Sequence, residues 1–266
     1  MEPGSRWPRR LLIGAGLIVL SVFATTWLAS SSRSAYAFEA VDTVLIVNDG
    51  GAVRVRTLAS VDPSLTADLA AQTGGDLAID PAGVVVRTTD SWLLGKPGFE
   101  SLQRDGELVI RATCSARLPC RTTLDVYVPQ GIELTVVAAS DMVEVDSFDG
   151  ALLVFAGDEG VVLGSVTGSV SVVSDGPVRG STLGPAELTI EVGDGPVQLT
   201  YLDLPDVLAI TGVSSPVTVE LLSSADYAMD IEAAEVLVSV DENELSERRV
   251  SIRTDGRVVV EPTLTE

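Results

Sequence analysis

The chain has 266 residues, of which 46% are hydrophobic and only 5% aromatic, and its formal net charge is −21. Between Thr122 and Glu247 a single cation, Arg179, stands against 23 Asp and Glu residues. This imbalance excludes nucleic-acid binding by the central region, because such binding needs a basic surface. With 24 Gly and 13 Pro among Val- and Thr-rich runs, the composition indicates β-strands separated by tight turns.

The first element is an apolar segment from Leu11 to Ala29 that contains no charged residue. At about 1.5 Å per residue it would span about 28 Å, close to the hydrocarbon thickness of a bilayer. Arg6, Arg9 and Arg10 precede it, and the positive-inside rule keeps them in the cytoplasm. The sequence therefore predicts a cytoplasmic tail (residues 1–10), a single transmembrane signal-anchor in the lipid bilayer (residues 11–30) and an extracytoplasmic remainder.

A cleavable signal peptide is the alternative interpretation of the same segment. Ala35, Tyr36 and Ala37 form a small-x-small site, and cleavage would follow Ala37. Both interpretations export the chain from residue 38 onward, and residues 31–40 are predicted to be a linker.

Residues 41–130 are predicted to form an N-terminal β region. Two apolar runs, Thr43–Val47 and Ala52–Arg56, flank Asn48–Gly51, a turn sequence typical of a β-hairpin. Asp62–Gln72 could form a short helix. Further strands are expected at 83–88, 107–112 and 122–128.

The two cysteines, Cys114 and Cys120, lie within this region and enclose five residues that include Pro119. A redox pair usually has two intervening residues, and a zinc site needs four ligands. A disulfide formed in an oxidising compartment is therefore the favoured interpretation.

Residues 131–266 are predicted to form a β-strand repeat domain. Segments that start at Ser174, Gly193 and Val213 align so that Pro177, Pro196 and Pro216 coincide, with spacings of 19 and 20 residues. An alternating strand follows each proline. A second set of strands lies between them at 151–155, 169–173, 186–190 and 207–210.

A unit of 17–20 residues with two strands and two turns cannot bury its apolar face alone, but stacked units can. The sequence therefore predicts an all-β fold with β-solenoid or β-helix-like repeats. A Greek-key β-sandwich is the alternative, since short alternating strands suit it as well. Val250–Thr254 and Arg257–Val260 are predicted to form a last hairpin or cap, after a solvated loop at Asp241–Arg249.

Three groups of residues carry a resemblance to a known family. They are Ser147–Gly150, Thr167–Val172 and Ser174–Val178, preceded by Val126–Ile132. They resemble the recurring strand repeats of the bacterial "putative adhesin" family, a domain of undefined molecular role. The resemblance covers roughly residues 40–260 and implies a solenoid-like fold in the cell envelope behind one transmembrane segment. Proline stands here at positions where the family often has Asp.

The sequence nominates no catalytic, cofactor-binding or metal-binding residue. Histidine is absent, which removes the usual proton-transfer side chain and the commonest transition-metal ligand. Single Asp residues in turns could bind calcium only if six to eight oxygens converged, and isolated turn acids are ordinary turn chemistry. These are the residues at 141, 146, 149, 158, 175, 194, 203 and 206. Five aromatic residues, Tyr127, Phe148, Phe155, Tyr201 and Tyr227, could stack on sugars but are expected mainly in the core.

These observations predict a non-enzymatic, single-pass protein of the cell membrane whose bulk is an adhesin-like or scaffolding module of the envelope. A cell-wall polymer or an envelope protein is the expected partner. One alternative is the ectodomain of an envelope-stress sensor or a regulatory partner of another membrane protein. Another is a polysaccharide-active β-helix enzyme, for which no pair of facing carboxylates is apparent.

Overall fold

The computed structural model describes residues 30–58, 80, 82–93, 95–114 and 120–263, together with residues 64, 67, 68 and 71. These residues are almost entirely β: they form twenty strands, and the four isolated residues between 64 and 71 are helical. The rest of the predicted helix at Asp62–Gln72 lies outside the described residues. The strands are β1 (Ser30–Phe38), β2 (Thr43–Asn48), β3 (Val53–Thr57), β4 (Val84–Trp92), β5 (Gly98–Arg104), β6 (Glu107–Thr113), β7 (Cys120–Val128), β8 (Glu133–Ala138), β9 (Val143–Asp146), β10 (Asp149–Ala156), β11 (Val161–Gly164), β12 (Thr167–Ser174), β13 (Val178–Val192), β14 (Val197–Tyr201), β15 (Val207–Gly212), β16 (Val217–Leu221), β17 (Ala228–Glu232), β18 (Glu235–Val238), β19 (Arg249–Arg253) and β20 (Arg257–Pro262).

Hydrogen bonding arranges these strands in two ladders, which we call sheet A and sheet B. Sheet A runs in the order β1, β4, β7, β3, β9, β11, β13, β14, β16, β20, β18. Sheet B runs in the order β5, β6, β2, β8, β10, β12, β13, β15, β19, β17. The long strand β13 contributes its first part to sheet A and its last part to sheet B. Consecutive strands of the repeat region thus alternate between the two sheets, and we call each such pair a layer.

The repeat alignment predicted from the three prolines is confirmed by the register of sheet A. Val178, Val197 and Val217, each directly after one of these prolines, are partners in β13, β14 and β16. Their pairing is parallel, as is that of every strand from β8 to β20 in the described pairs. This is not the antiparallel pattern of a Greek-key sandwich.

The core lies where the inward side chains of both sheets meet. In β14, for example, Val197, Leu199 and Tyr201 are buried while Gln198 is exposed, as the two-residue period of a strand requires. Buried residues from Val41 to Val260 form one continuous cluster, consisting mainly of Val, Leu and Ile. The predicted boundary at residue 130 is therefore not a break in the core, since β8 pairs with β2 over six residues.

Two predicted hairpins are wrong. Strands β2 and β3 do not pair with each other, because β2 belongs to sheet B and β3 to sheet A. The same holds for β19 and β20 at the end of the chain. The turns after Asn48 and Thr254 are corners between sheets rather than reversals within one sheet. A turn sequence that contains Gly permits both a hairpin and a corner between sheets. The corner forms because it allows both strands to bury side chains in a common core.

The predicted linker at residues 31–40 is also wrong for most of its length. Strand β1 pairs antiparallel with β4 over nine residues, from Ser30 opposite Trp92 to Phe38 opposite Val84. Ala35 is buried, and the ring of Tyr36 stacks on Phe99 with centroids 4.3 Å apart. The pairing arises because β4 would otherwise be an open edge of sheet A.

The layers do not follow chain order at the two ends of the ladders. Strands β6 and β7 lie outside β2 and β3, although they come later in the chain. At the other end, β19 and β20 lie between the β15–β16 layer and the β17–β18 layer. The predicted C-terminal cap is thus the penultimate layer, and β17 and β18 are the terminal strands.

The predicted disulfide between Cys114 and Cys120 is present, at the start of β7. It lies beside the corner that follows β2, where the Cys114 sulfur lies 3.8 Å from the carbonyl oxygen of Gly50. The predicted cytoplasmic tail and signal-anchor lie outside the described residues apart from Ser30. Among the residues that are described, no helix has the length and apolarity needed to cross a bilayer.

Candidate functional site

The acidic turn residues do not form a cation site in the described part of the chain. No group of three or more His, Cys, Asp or Glu side chains there converges on a common point. Individual acids instead serve the turns: Asp149 accepts a 2.8 Å hydrogen bond from the hydroxyl of Thr167 in the next layer. The Asp149 side chain therefore connects two layers, and the described acids offer no convergent oxygen cage.

Four of the five aromatic residues considered as sugar-stacking groups lie in the core. Tyr127, Phe148, Tyr201 and Tyr227 are each at most 3% exposed. Only Phe155 presents its ring to solvent, with 40% exposure. Sugar stacking by the buried four is excluded, because a stacking platform must be accessible to its ligand.

The outward face of sheet A carries a ladder of alternating charges near its N-terminal end. Arg87 donates hydrogen bonds from Nε and Nη2 to Oδ2 of Asp125, at 3.2 and 3.0 Å. Arg54 lies 3.6 Å from Asp125 and 3.3 Å from Glu144, which also contacts Arg56. Burial by itself would lower the pKa of Arg87. The hydrogen bond and the charge of Asp125 outweigh that effect, so the pKa is raised above its ordinary value. The guanidinium groups of Arg54, Arg56 and Arg87 are thus engaged within the protein.

The outward face of sheet B is chemically different, because apolar side chains occupy it across six neighbouring strands. We call this surface the apolar face. Phe155 and Leu102 are its most exposed members, at 40% and 64%, and the others are partly exposed. Its members are Leu45, Val47, Leu102, Val109, Val137, Leu153, Phe155 and Val173.

Strand register places these side chains in two rows across the sheet. One row runs through Val47, Val137, Phe155 and Val173, which are successive partners in β2, β8, β10 and β12. The second row includes Leu102, Val109 and Leu45, successive partners in β5, β6 and β2. With strands about 4.8 Å apart, six strands extend over about 24 Å. The face is therefore large enough for contact with a macromolecule.

A shallow depression of about 480 Å³ lies at the β5–β6 end of the apolar face. Its lining consists of Glu100, Ser101, Leu102, Val109 and Arg111. The depression is open to solvent and combines apolar side chains with one acid and one base. It suits an inserted side chain of a partner better than a reaction that requires exclusion of water.

Sequence reasoning did not find the apolar face, although a signal for it was present. Val44–Val47 and Leu152–Phe155 are uninterrupted apolar runs rather than alternating ones. Such runs indicate a strand that is apolar on both sides. The parallel register then aligns the outward members of separate runs, and this alignment cannot be read from any single run.

Comparison with known proteins gives structural neighbours only. No family model and no curated protein matches the sequence. A crystal structure described as a putative cell adhesion protein from Clostridium sporogenes ATCC 15579 is similar over 88% of this chain and 100% of its own, with 12% identity and a TM-score of 0.33. One described as a putative adhesin from Bacteroides fragilis NCTC 9343 is similar over 88% and 97%, with 9% identity and a TM-score of 0.40. Another putative adhesin, from Parabacteroides merdae ATCC 43184, is similar over 88% and 95%, with 8% identity and a TM-score of 0.41.

Proposed function

We propose that this chain is a non-enzymatic interaction module of the bacterial cell envelope, with adhesin-like or scaffolding activity. The apolar face carries the proposal. A contiguous apolar surface on a protein of net charge −21 is unfavourable in water unless a partner covers it. The partner on this face is another envelope protein, because a surface made mainly of apolar side chains, with Arg111 as the one base in its depression, suits neither a nucleic acid nor an anionic polymer.

The parallel ladders support a β-solenoid as the scaffold of this module. Each layer adds one strand to each sheet, so the outward side chains form straight rows rather than a pocket. Such a surface binds extended or flat partners. This interpretation rests on the repeat in sheet B, where successive partners are spaced 18 positions apart in the chain: Leu134, Leu152, Val170 and Leu188.

The disulfide and the N-terminal sequence support a location outside the cytoplasm. A disulfide between Cys114 and Cys120 persists in an oxidising compartment. We propose that residues 11–30 anchor the chain in the membrane as a signal-anchor. In that arrangement β1 follows the anchor directly, and the β17–β18 layer lies at the far end of the ladders. Sheet B contains ten strands between these ends, which corresponds to about 43 Å.

A sensory role is the second candidate, and the apolar face favours it over attachment to a wall polymer. An ectodomain that reports envelope state must contact another membrane protein, and apolar side chains are typical of such contacts. Adhesion to a polysaccharide would instead need exposed aromatic rings or converging polar groups. Phe155 is the one exposed ring among the five aromatic residues considered.

The test is co-sedimentation of the full-length protein, purified in a mild detergent, with bacterial envelope fragments. Half of the fragments are stripped of protein, and each set is measured with calcium and with chelator. We expect binding to protein-bearing fragments and at least about tenfold weaker binding after stripping. Binding to stripped walls would support polymer adhesion instead, and loss under chelator would indicate cation bridging. Absence of binding to both sets would overturn the proposal.

Matched variants assign the binding to a surface. Phe155→Ser and Val137→Thr introduce polar residues on the apolar face. Thr135 and Ser171 already stand in the neighbouring row, so the fold should persist. Val162→Thr makes a comparable change on the outward side of β11 in sheet A. The face variants should weaken binding and the sheet A variant should not. Equal effects of both would show that the apolar face is not the binding surface.

A further inference from the structure

The last layer of the ladders, β17 and β18, has hydrogen-bonded neighbours on one side only. Strand β17 pairs with β19, and β18 pairs with β20. On the other side, within the described residues, the one β-bridge lies directly before β17, where Tyr227 pairs with Glu242. Strand β18 thus presents a free edge, whereas the loop at residues 241–243 covers the start of the β17 side.

The apolar core is open at this end. Val236 and Val238 of β18 pair with Val258 and Val260 of β20, so these four side chains belong to the same columns of the core. Val258 and Val260 are 0% exposed, whereas Val236 is 45% exposed. The neighbouring Leu237 is 49% exposed. A stacked β structure needs a polar cap on its last layer, and this layer exposes aliphatic side chains instead.

The opposite end of the ladders is closed, which makes the open end distinctive. There the terminal strands β1 and β5 run antiparallel to their neighbours. Phe38 and Phe99 pack against the core, and Phe99 stacks on Tyr36. Aromatic side chains therefore cover the core at the N-terminal end, whereas the C-terminal end has no aromatic cover in the described residues beyond Tyr227.

Charge indicates what could occupy the open edge. Residues 222–247 contain eight Asp and Glu residues and no Lys or Arg. Arg253 and Arg257 of the adjacent layer reach Asp230 and Glu235, but the loop acids extend beyond them. A second copy that approached through the same edge would bring the two acidic sets together, which disfavours that arrangement. A cationic segment would instead be attracted to these acids.

The geometry points to β-strand addition: we propose that the free edge of β18 binds an extended segment of a partner protein in which apolar and Lys or Arg residues alternate. The backbone of the segment continues sheet A, and its apolar side chains cover Val236 and Val238. Its cations lie near Glu235, the single acid of β18, and near the four acids of the 239–248 loop. This site is separate from the apolar face on sheet B and does not depend on it.

Backbone directions agree with an acceptor edge. The amide of Ser239, directly after β18, donates to the carbonyl of Val260 in the adjacent layer. Because donors alternate along a strand, the N–H groups of Val236 and Val238 are directed away from β20. Val236→Pro therefore removes an outward donor and places a ring at the edge, while the bonds to β20 are kept.

The test measures binding of two labelled nine-residue peptides to the full-length protein in detergent, by fluorescence anisotropy at low salt. One peptide alternates Val and Lys, and the other alternates Val and Glu. We expect the Lys peptide to bind at least about tenfold more tightly, and its affinity to fall as salt is added. Hydrogen exchange of the 235–238 amides should slow when it binds. Phe155→Ser should leave this binding unchanged.

Two variants and one further measurement decide the outcome. Val236→Pro should abolish binding of the Lys peptide. If that variant does not fold, Glu235→Lys with Glu242→Lys should weaken binding at least about tenfold. Equal binding of both peptides, or no binding of either, would overturn the proposal. So would concentration-dependent dimerisation in ultracentrifugation that Val236→Pro removes, because a second copy would then occupy the edge.

Discussion

The side-chain amide of Asn48 donates a 2.9 Å hydrogen bond to the backbone carbonyl of Thr122, 74 residues later in the chain. The same nitrogen donates to the carbonyl of Gly51 at 2.7 Å, and the side-chain oxygen accepts from the amide of Gly50. Asn48 is only 1% exposed. One buried amide thus fixes the corner between β2 and β3 and attaches it to β7 in the neighbouring layer.

Replacement of Asn48 by Ala should lower the free energy of unfolding by about 2 kcal/mol, because two buried carbonyls lose their donor. Chemical denaturation of the variant and the parent protein measures this difference. Ser140→Ala is the matched control, since the Ser140 hydroxyl makes a single exposed bond to Asp49. A loss below about 0.5 kcal/mol for Asn48→Ala would contradict the role of the corner.

Turn backbones of neighbouring layers lie in close contact at the corners that precede sheet A. A Cβ atom added to Gly195 would lie 2.3 Å from the backbone carbon of Gly176. One added to Gly176 would lie 2.0 Å from the carbonyl oxygen of Asp158. The glycines are therefore required by the spacing between layers.

We expect Gly195→Ala to destabilise the protein strongly, by about 3 kcal/mol or more, since backbone atoms must move apart. Gly131→Ala provides the comparison. Gly131 has a φ of +79°, but no atom lies within 4 Å of its added Cβ. Its replacement should cost only the left-handed backbone penalty, about 1–2 kcal/mol. Equal losses for the two variants, measured by denaturation, would show that layer contact is not the cause.

The contribution of strand β1 to stability can be tested with two fragments. A fragment of residues 38–266 lacks β1 and exposes the edge of β4, whereas a fragment of residues 30–266 retains it. The shorter fragment keeps Phe38 and loses eight of the nine cross-strand pairs, which at a few tenths of a kcal/mol each sum to about 2–3 kcal/mol. The shorter fragment should therefore melt about 5–10 °C lower by calorimetry. Equal melting temperatures would show that β1 does not stabilise the folded protein. Cleavage after Ala37 would then leave the stability unchanged.

Tyr201 carries a buried hydroxyl that has no hydrogen-bond partner in the described part of the chain. Tyr201→Phe should therefore raise the free energy of unfolding by about 1 kcal/mol, because an unsatisfied polar group is removed. The control is Tyr227→Phe, which removes a hydroxyl that donates to the carbonyl of Leu222 at 3.1 Å. That variant should lose about 1 kcal/mol. Thermal denaturation at pH 7 compares the two, and effects of the same sign would contradict the assignment.

The same tyrosines predict a loss of stability in alkali. Burial raises the pKa of Tyr201 above its ordinary value of 10.0, and the nearby Tyr227 raises it further. The unfolded chain releases the phenolic proton first, so stability is complete below about pH 10 and falls as pH rises above it. Tyr201→Phe should reduce the steepness of this fall between pH 10 and pH 12. An unchanged slope in pH-dependent denaturation would show that burial does not raise the pKa of Tyr201 in the folded protein.

The repeat and its phase could be predicted from the sequence because they depend on local chemistry. Pro177, Pro196 and Pro216 each precede an alternating strand, and the carbonyls of these three prolines accept bonds from amides of the preceding layer. Proline lacks an N–H but keeps its carbonyl, so the position tolerates it. The disulfide followed in the same way from two cysteines at a short spacing and from the exclusion of metal and redox sites.

The apolar face and the open edge of β18 could not be predicted, since each depends on which strands become neighbours. Leu45 and Leu153 lie more than 100 residues apart, and only the shared partner Thr135 places them in the same row. Likewise, β18 becomes terminal because β20, later in the chain, inserts between it and β16.

Sequence alone thus determined the β class, the period of 17–20 residues, the cysteine pairing and the acidic central region, because composition, alternation and turn chemistry act over a few residues. Tertiary structure decided that the Asn48 turn is a corner and that residues 30–38 form a strand. It also decided which layer is last. These outcomes depend on burial of side chains from distant segments in a common core. The local sequence pattern is compatible with a hairpin and with a corner, so it cannot distinguish between them.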